Sequence, residues 1–267
     1  VDAMKLQKAL TFGLVFPLTV VFLFFPAAFA QVQTAGAGTI SVYDQKTQAD
    51  VSHSLENKRF ADVKVAIANG IVTLSGTVET YSVKEDAEKR SQHVKNVKAT
   101  ENDIIVGGPS VSDSTLRQKL SEKLTYDRVG YGTTAFNMFT IGVQDGAVTL
   151  GGVAYGPMDK SSALGLVANY PGVKDVIDNI EVAPASSMDD RIRIAEARAL
   201  YGSSQLLKYS IDPAKPIRIT VVSGNVTLSG MVSSQADKDI AGIQANTVSG
   251  VFHVTNDLQV EGATKDK

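Results

Sequence analysis

Asn69-Gly70-Ile71-Val72-Thr73-Leu74-Ser75-Gly76-Thr77-Val78 returns as Asp145-Gly146-Ala147-Val148-Thr149-Leu150-Gly151-Gly152-Val153-Ala154 and again as Ser223-Gly224-Asn225-Val226-Thr227-Leu228-Ser229-Gly230-Met231-Val232. Gly70 and Gly146 lie 76 positions apart, Gly146 and Gly224 78. That period is too long for a solenoid unit and suits a compact domain that buries its own small core. The chain is therefore an array of three similar domains, and the copies can be compared with one another. In each, Asn-Gly, Asp-Gly or Ser-Gly offers the positive φ of a two-residue hairpin turn. The strand after it alternates, with Val72, Leu74 and Gly76 matching Val148, Leu150, Gly152 and Val226, Leu228, Gly230.

Working outward, the strand before the turn alternates too: Val63, Val65, Ile67; Phe139, Ile141, Val143; Ile217, Ile219, Val221. Ahead of it lies a helix with apolar steps of four, Val51 and Leu55 in the first copy, Leu116, Leu120 and Leu124 in the second, the latter behind two possible caps, Ser112 and Asp113. After the hairpin a second helix aligns Ala87 and Val94, then Ala163, Val167 and Tyr170, then Ala241, Ala245 and Val248. It ends near Asn96, Gly172 and Gly250, residues that tolerate a left-handed terminus. A last strand starts at Val97, Val173 and Val251 and runs through Ile104, Ile180 and Leu258. The fold class predicted is α+β: three tandem small α-β-β-α-β domains, each a mixed sheet covered on one face by two helices. Whether the last strand lies beside the first or the second is left open. Residues 47–107, 112–183 and 189–260 are assigned to the domains. Residues 31–46, 108–111 and 184–188 are assigned as linkers, across which the domains reorient, and 261–267 as a tail.

Lys5 and Lys8 precede an uncharged apolar run from Ala9 to Ala28 that closes on Ala28-Phe29-Ala30. Residues 1–30 have the layout of a cleaved signal peptide, the alternative being an uncleaved N-terminal anchor. No later stretch has a membrane-spanning length of apolar residues. The 24 basic and 27 acidic side chains beyond residue 30 give no electropositive footprint for nucleic acid. Without cysteine there is no disulfide framework, thiolate metal site, lipidated Cys or Cys nucleophile.

The apolar steps of four, the NG-x-VTLSG-x-V hairpin, and the helix ends Asn96-Val97, Pro171-Gly172-Val173 and Ser249-Gly250-Val251 before a (D/N)-N-x-(I/L)-x-V strand resemble the BON domain family, the bacterial OsmY and nodulation domain. The resemblance covers nearly all of residues 47–260. It implies export to the periplasm, work at the cell envelope, phospholipid or envelope-protein binding, support under osmotic stress, and no catalytic residues. Asn96 departs from the family's glycine, which predicts a less sharply ended helix in the first copy.

The residues themselves argue against an enzyme. Gly130-Tyr131-Gly132-Thr133-Thr134-Ala135 mimics a dinucleotide fingerprint but falls between a helix and a strand, where no helix N-terminus can face a pyrophosphate. His53, His93 and His253 have no second histidine at i+3 or i+4, so no metal and no cofactor are expected. Glu85-Asp86 and Asp189-Asp190 are placed at helix starts, complementing the dipole. Glycines 76, 152 and 230 read as positions of close backbone approach. Two connections are longer than in the first copy: Thr125–Met138, with Tyr126, Arg128, Tyr131 and Phe136, and Ser203–Pro216, with Leu206, Leu207, Tyr209 and Ile211. They either fold back over their own cores or meet a partner or membrane. Beside the second, Arg191, Arg193 and Arg198 interleave with Ile192, Ile194, Ala195, Ala199, Leu200 and Tyr201. A helix of this kind can lie on anionic headgroups, although one packed on its own sheet looks much the same. Arg191, Arg193, Arg198, Leu206, Leu207 and Tyr209 are thus the candidate membrane- or partner-binding residues. The expected partner is anionic phospholipid, met peripherally, or an envelope protein; the alternative function is a periplasmic stress chaperone that holds exported clients.

Overall fold

A computed structural model of the chain describes residues 41–126, 134–211 and 216–262. The predicted leader, and Arg128, Tyr131 and residues 130–133 of the glycine-rich stretch, lie outside the described residues.

The first domain runs α1 (Val42–Ser54), β1 (Val63–Ala68), β2 (Ile71–Val78), α2 (Tyr81–Gln92), β3 (Ala99–Val106). The second runs α3 (Asp113–Tyr126), β4 (Met138–Gln144), β5 (Ala147–Ala154), α4 (Pro157–Ala168), β6 (Asp175–Val182). The third runs α5 (Ser187–Tyr201), the short α6 (Lys208–Ile211), β7 (Arg218–Val222), β8 (Asn225–Val232), α7 (Gln235–Asn246), β9 (His253–Val260). The three-domain α+β architecture predicted from the repeat is the one found. Each sheet has three strands, and the question of order is answered: the hairpin's second strand is central, antiparallel to the first and parallel to the last. The crossover helix α2, α4 or α7 spans each parallel pair.

The hairpin turns carry left-handed φ at both central residues, 54° and 82° at Asn69-Gly70, 53° and 82° at Asp145-Gly146, 51° and 75° at Ser223-Gly224, the geometry that matches strand twist. Leu74, Leu150 and Leu228 are fully buried in the middle of the central strands, and Ala87, Ala163 and Ala241 meet them from the crossover helices. Gly76, Gly152 and Gly230 do mark close backbone approach. They also have positive φ, and a Cβ on Gly152 would stand 1.9 Å from the Met138 carbonyl oxygen.

Several expectations need correction. The crossover helices are each 12 residues long and stop short of the left-handed residue, with a further turn between. Asn96 adopts φ 71°, as Gly172 and Gly250 adopt 94° and 91°, so the first copy ends no less sharply; asparagine tolerates this conformation. Helices α1 and α5 begin inside the stretches assigned to linkers, because Ser41 and Ser186 cap them by accepting the amides of Asp44 and Asp189. In the second copy Ser112 is the cap, accepting from Thr115. Glu85 and Asp86 sit in the body of α2 rather than its first turn, where they pair with Lys89 and with Arg59 and Arg90.

The domains are joined by side chains as well as linkers. Ser82 donates to Asn169 at 2.7 Å, and Tyr81 packs against the cores of both the first and second domains. The seam between the second and third domains is more extensive and bears on the candidate site.

Candidate functional site

Helix α5 is built to be held on two sides. Its N-terminus is fixed by the Ser186 cap and by Asp189, whose carboxylate accepts the turn amides of Ser223 at 3.0 Å and Gly224 at 2.8 Å. One face, Ile192, Glu196 and Leu200, enters the third core against β7 and α7. Another face turns to the second domain. There Phe136, at the end of the long connection of the second copy, packs against the third domain's core, so that part of the connection covers its neighbour and not its own core. Phe136 also packs on Tyr155, with ring centroids 5.8 Å apart, and Tyr155 donates to Asp190 at 3.2 Å. Arg218 of β7 donates to the Asn137 carbonyl at 2.9 Å.

The six predicted residues divide evenly. Arg193, Leu206 and Tyr209 are 3%, 0% and 3% exposed, which corrects their placement at a binding surface. Arg193 donates to Asp190 at 2.5 Å and to the Val221 carbonyl at 2.6 Å, with its guanidinium 5.0 Å from the Tyr155 ring centre. It occupies the helix position of Gln48, which likewise donates to a first-strand carbonyl, Val65, at 2.8 Å. Leu206 and Tyr209 fold back into the third core, and the Tyr209 hydroxyl donates to Asp237 at 2.8 Å while accepting the amide of Ser233. Burying their apolar bodies there removes apolar surface from water.

Arg191, Arg198 and Leu207 remain exposed. Arg191 and Arg198 share one exposed stripe of α5 with Ile194, which is 47% exposed, since positions three and four apart stack along a helix. The stripe borders an open hollow of about 490 Å3 lined by Phe136, Ile194, Ala197, Arg198, Tyr201 and Gly202. Its walls are almost wholly apolar, with Arg198 as the cation at the edge. Burial pushes the Tyr201 hydroxyl up to about 12, so it stays a neutral donor, bonded to the Ile217 carbonyl at 2.5 Å. An apolar trough with a guanidinium at its lip can take an amphiphile whose polar end is anionic.

Among the described residues no group of three or more His, Cys, Asp or Glu is placed to hold a metal ion, and no helix is long and apolar enough to cross a membrane. His53 pairs with Glu56 at 2.9 Å, and His93 contacts the Lys89 carbonyl. The residues whose part in the seam sequence reasoning does not reveal are Tyr155, Asn137 and Asp190, the last read there only as a helix-start acid. Their contacts are non-local and follow no period, so only the longer second connection hinted at them.

The BON domain profile matches residues 43–108, 112–184 and 203–262; α5 lies outside the third match, yet fills the place of α1 and α3. Osmotically-inducible protein Y of Escherichia coli (strain K12) is 24% identical over 196 residues, covering 71% of this chain and 93% of the relative. A protein of Anaplasma centrale described as an uncharacterized protein in the gshII 5' region is 26% identical over 129 residues, 46% of this chain and 83% of its own. Among solved structures, the type III secretion structural protein CdsD of Chlamydia trachomatis aligns with 14% identity over 79% of this chain and 90% of its own, at a TM-score of 0.23. The PrgH periplasmic domain aligns with 11% identity over 80% of this chain and 99% of its own, at 0.21. With a profile match over most of its length, in three segments that coincide with three sheets, this chain belongs to the BON domain family.

Proposed function

We propose that this BON protein acts at the cell envelope without catalysis, its third domain meeting anionic phospholipid surface through α5, and that it supports the envelope under osmotic stress. The observation that carries the reading is the exposed stripe of Arg191, Ile194 and Arg198 beside the apolar hollow at Phe136 and Tyr201. The similarity to an osmotically inducible relative supports the physiological setting, and the leader-like sequence of residues 1–30 supports placement in the periplasm. Association is peripheral: two guanidinium groups reach phosphate while one isoleucine and the hollow take apolar surface.

Co-sedimentation of the mature chain with vesicles, with and without anionic lipid, tests this. Arg191→Gln with Arg198→Gln is expected to weaken anionic-vesicle binding about twenty- to thirtyfold, at about 1 kcal/mol per basic residue near the surface. Raised salt acts in the same direction. Ile194→Ser weakens binding with little salt dependence, since that contribution is apolar burial. Vesicles ignored by the parent protein, or bound equally by the double variant, would overturn the reading. A second reading, a client-holding chaperone, rests on Leu207 and Ile211, exposed on the third domain's long connection. It predicts suppression of client aggregation without lipid, lost in Leu207→Ser with Ile211→Ser.

A further inference from the structure

The helices that open the three domains can be compared position by position from the aspartate that ties each to its hairpin. Thr47, Val51 and Leu55 correspond to Leu116, Leu120 and Leu124, and to Ile192, Glu196 and Leu200. Val51 and Leu120 are fully buried, and Glu196 is too, at 0% exposure. Neither of its carboxyl oxygens has a hydrogen-bond partner. The first two domains show that this site in the fold asks only for an apolar side chain, so the carboxyl is an addition peculiar to the third.

The charged and titratable side chains of α5 and of the elements packed against it leave the Glu196 carboxyl unbonded. On α5 itself, Asp189 holds the hairpin turn, Arg193 bonds Asp190 and Val221, Arg191 bonds the Ser187 carbonyl, and Tyr201 bonds Ile217. Arg218 of β7 donates to Asn137. Across from it, α6 and α7 contribute Lys208, Tyr209 and Asp237, bonded to one another, with Lys238 and Asp239 further along α7. Tyr155 of the second domain is taken up by Asp190. None of them bonds a Glu196 oxygen. An ionised carboxylate in this place is shielded from bulk solvent and has no protein partner, a combination that proteins resolve by keeping the group neutral; burial alone pushes its pKa up to about 8.

We propose that Glu196 is a proton-operated latch: protonated, it packs as Val51 and Leu120 do and holds α5 on the third sheet; deprotonated, it loosens α5 and with it the seam to the second domain. The latch stands whether or not α5 meets lipid. Its direction follows from proton linkage. Between the ordinary glutamate pKa of 4.5 and about 8, the folded domain holds a proton that the unfolded chain has released. Stability therefore falls as pH rises through that window, by up to about tenfold in the unfolding equilibrium per pH unit, and the dependence levels off above it.

Hydrogen exchange of the full chain from pH 5 to 9, expressed as protection so that intrinsic rates cancel, reads the three domains separately. Protection in α5 and β7 is expected to fall towards pH 8 more steeply than in α1, α3 and their strands. Glu196→Gln should remove the excess slope. Glu196→Val, which installs the first domain's residue, should remove it and raise protection at pH 8. Parallel slopes in all three domains, an excess slope that persists in Glu196→Gln, or a Glu196→Val protein that fails to fold would each overturn the latch. So would direct titration of the Glu196 carboxyl in the ordinary carboxylate range.

Discussion

Asp44, Asp113 and Asp189 perform one task three times. Each carboxylate accepts both amides of its domain's hairpin turn, at 3.2 and 3.1 Å, 2.7 and 3.0 Å, and 3.0 and 2.8 Å. A turn with positive φ at both central residues directs these amides away from the ladder, and the helix returns a charge to meet them. Asp113→Ala is expected to destabilise the second domain by about 1.5–3 kcal/mol, the usual worth of hydrogen bonds to a charged group; an unchanged denaturant midpoint would show the tether to be dispensable. Leu150→Ala, at a fully buried site, should destabilise the same domain by about 2–5 kcal/mol. Gly152→Ala should exceed about 1 kcal/mol despite adding a single methyl, because its φ of 99° and the Met138 carbonyl both oppose a Cβ.

At the scale of elements, the crossover helices are alike in length but not in their caps. Ser234 accepts the amide of Asp237 at 3.1 Å, whereas Thr80 makes no side-chain cap bond to α2. Ser234→Ala is expected to cost about 1 kcal/mol and Thr80→Ala less than half as much, as compared by urea unfolding of the two variants. The first helices of the copies differ in what they carry on a common frame. Gln48 and Arg193 both donate to first-strand carbonyls from one helical position, and an arginine there reads in the sequence as a surface cation because its spacing on the helix says nothing of what lies above it. Alternation along the strands and the apolar steps of four were legible, since they arise from the 2.0 and 3.6 residue periods of the backbone.

For the whole molecule, the second and third domains share a seam of Phe136, Tyr155, Asn137, Asp190, Arg193 and Arg218. The seam predicts that their unfolding is interdependent, whereas the sequence alone predicts independent, linker-joined units. Tyr155→Ala should lower the calorimetric transition of the third domain along with that of the second. A double-mutant cycle of Tyr155→Ala with Arg193→Gln should give a coupling of about 0.5–2 kcal/mol. Strict additivity, with only the second domain's transition moved, would mean the seam transmits nothing.

The sequence by itself determined that three copies exist, where their hairpins turn, which face of each strand is apolar, and to which family the pattern points. These depend on residues close along the chain, whose periods and turn chemistry are local. Tertiary structure alone decided that the last strand lies beside the hairpin's second strand. It also decided that Arg193, Leu206 and Tyr209 belong inside while Arg191, Arg198 and Leu207 face water, and that Glu196 takes the place of a valine. Whether a polar side chain is buried depends on which distant segment covers it. Here the covering residues, Tyr155 for the arginine and the α7 and β7 surfaces for the glutamate, lie far along the chain and leave no periodic mark on the helix they cover.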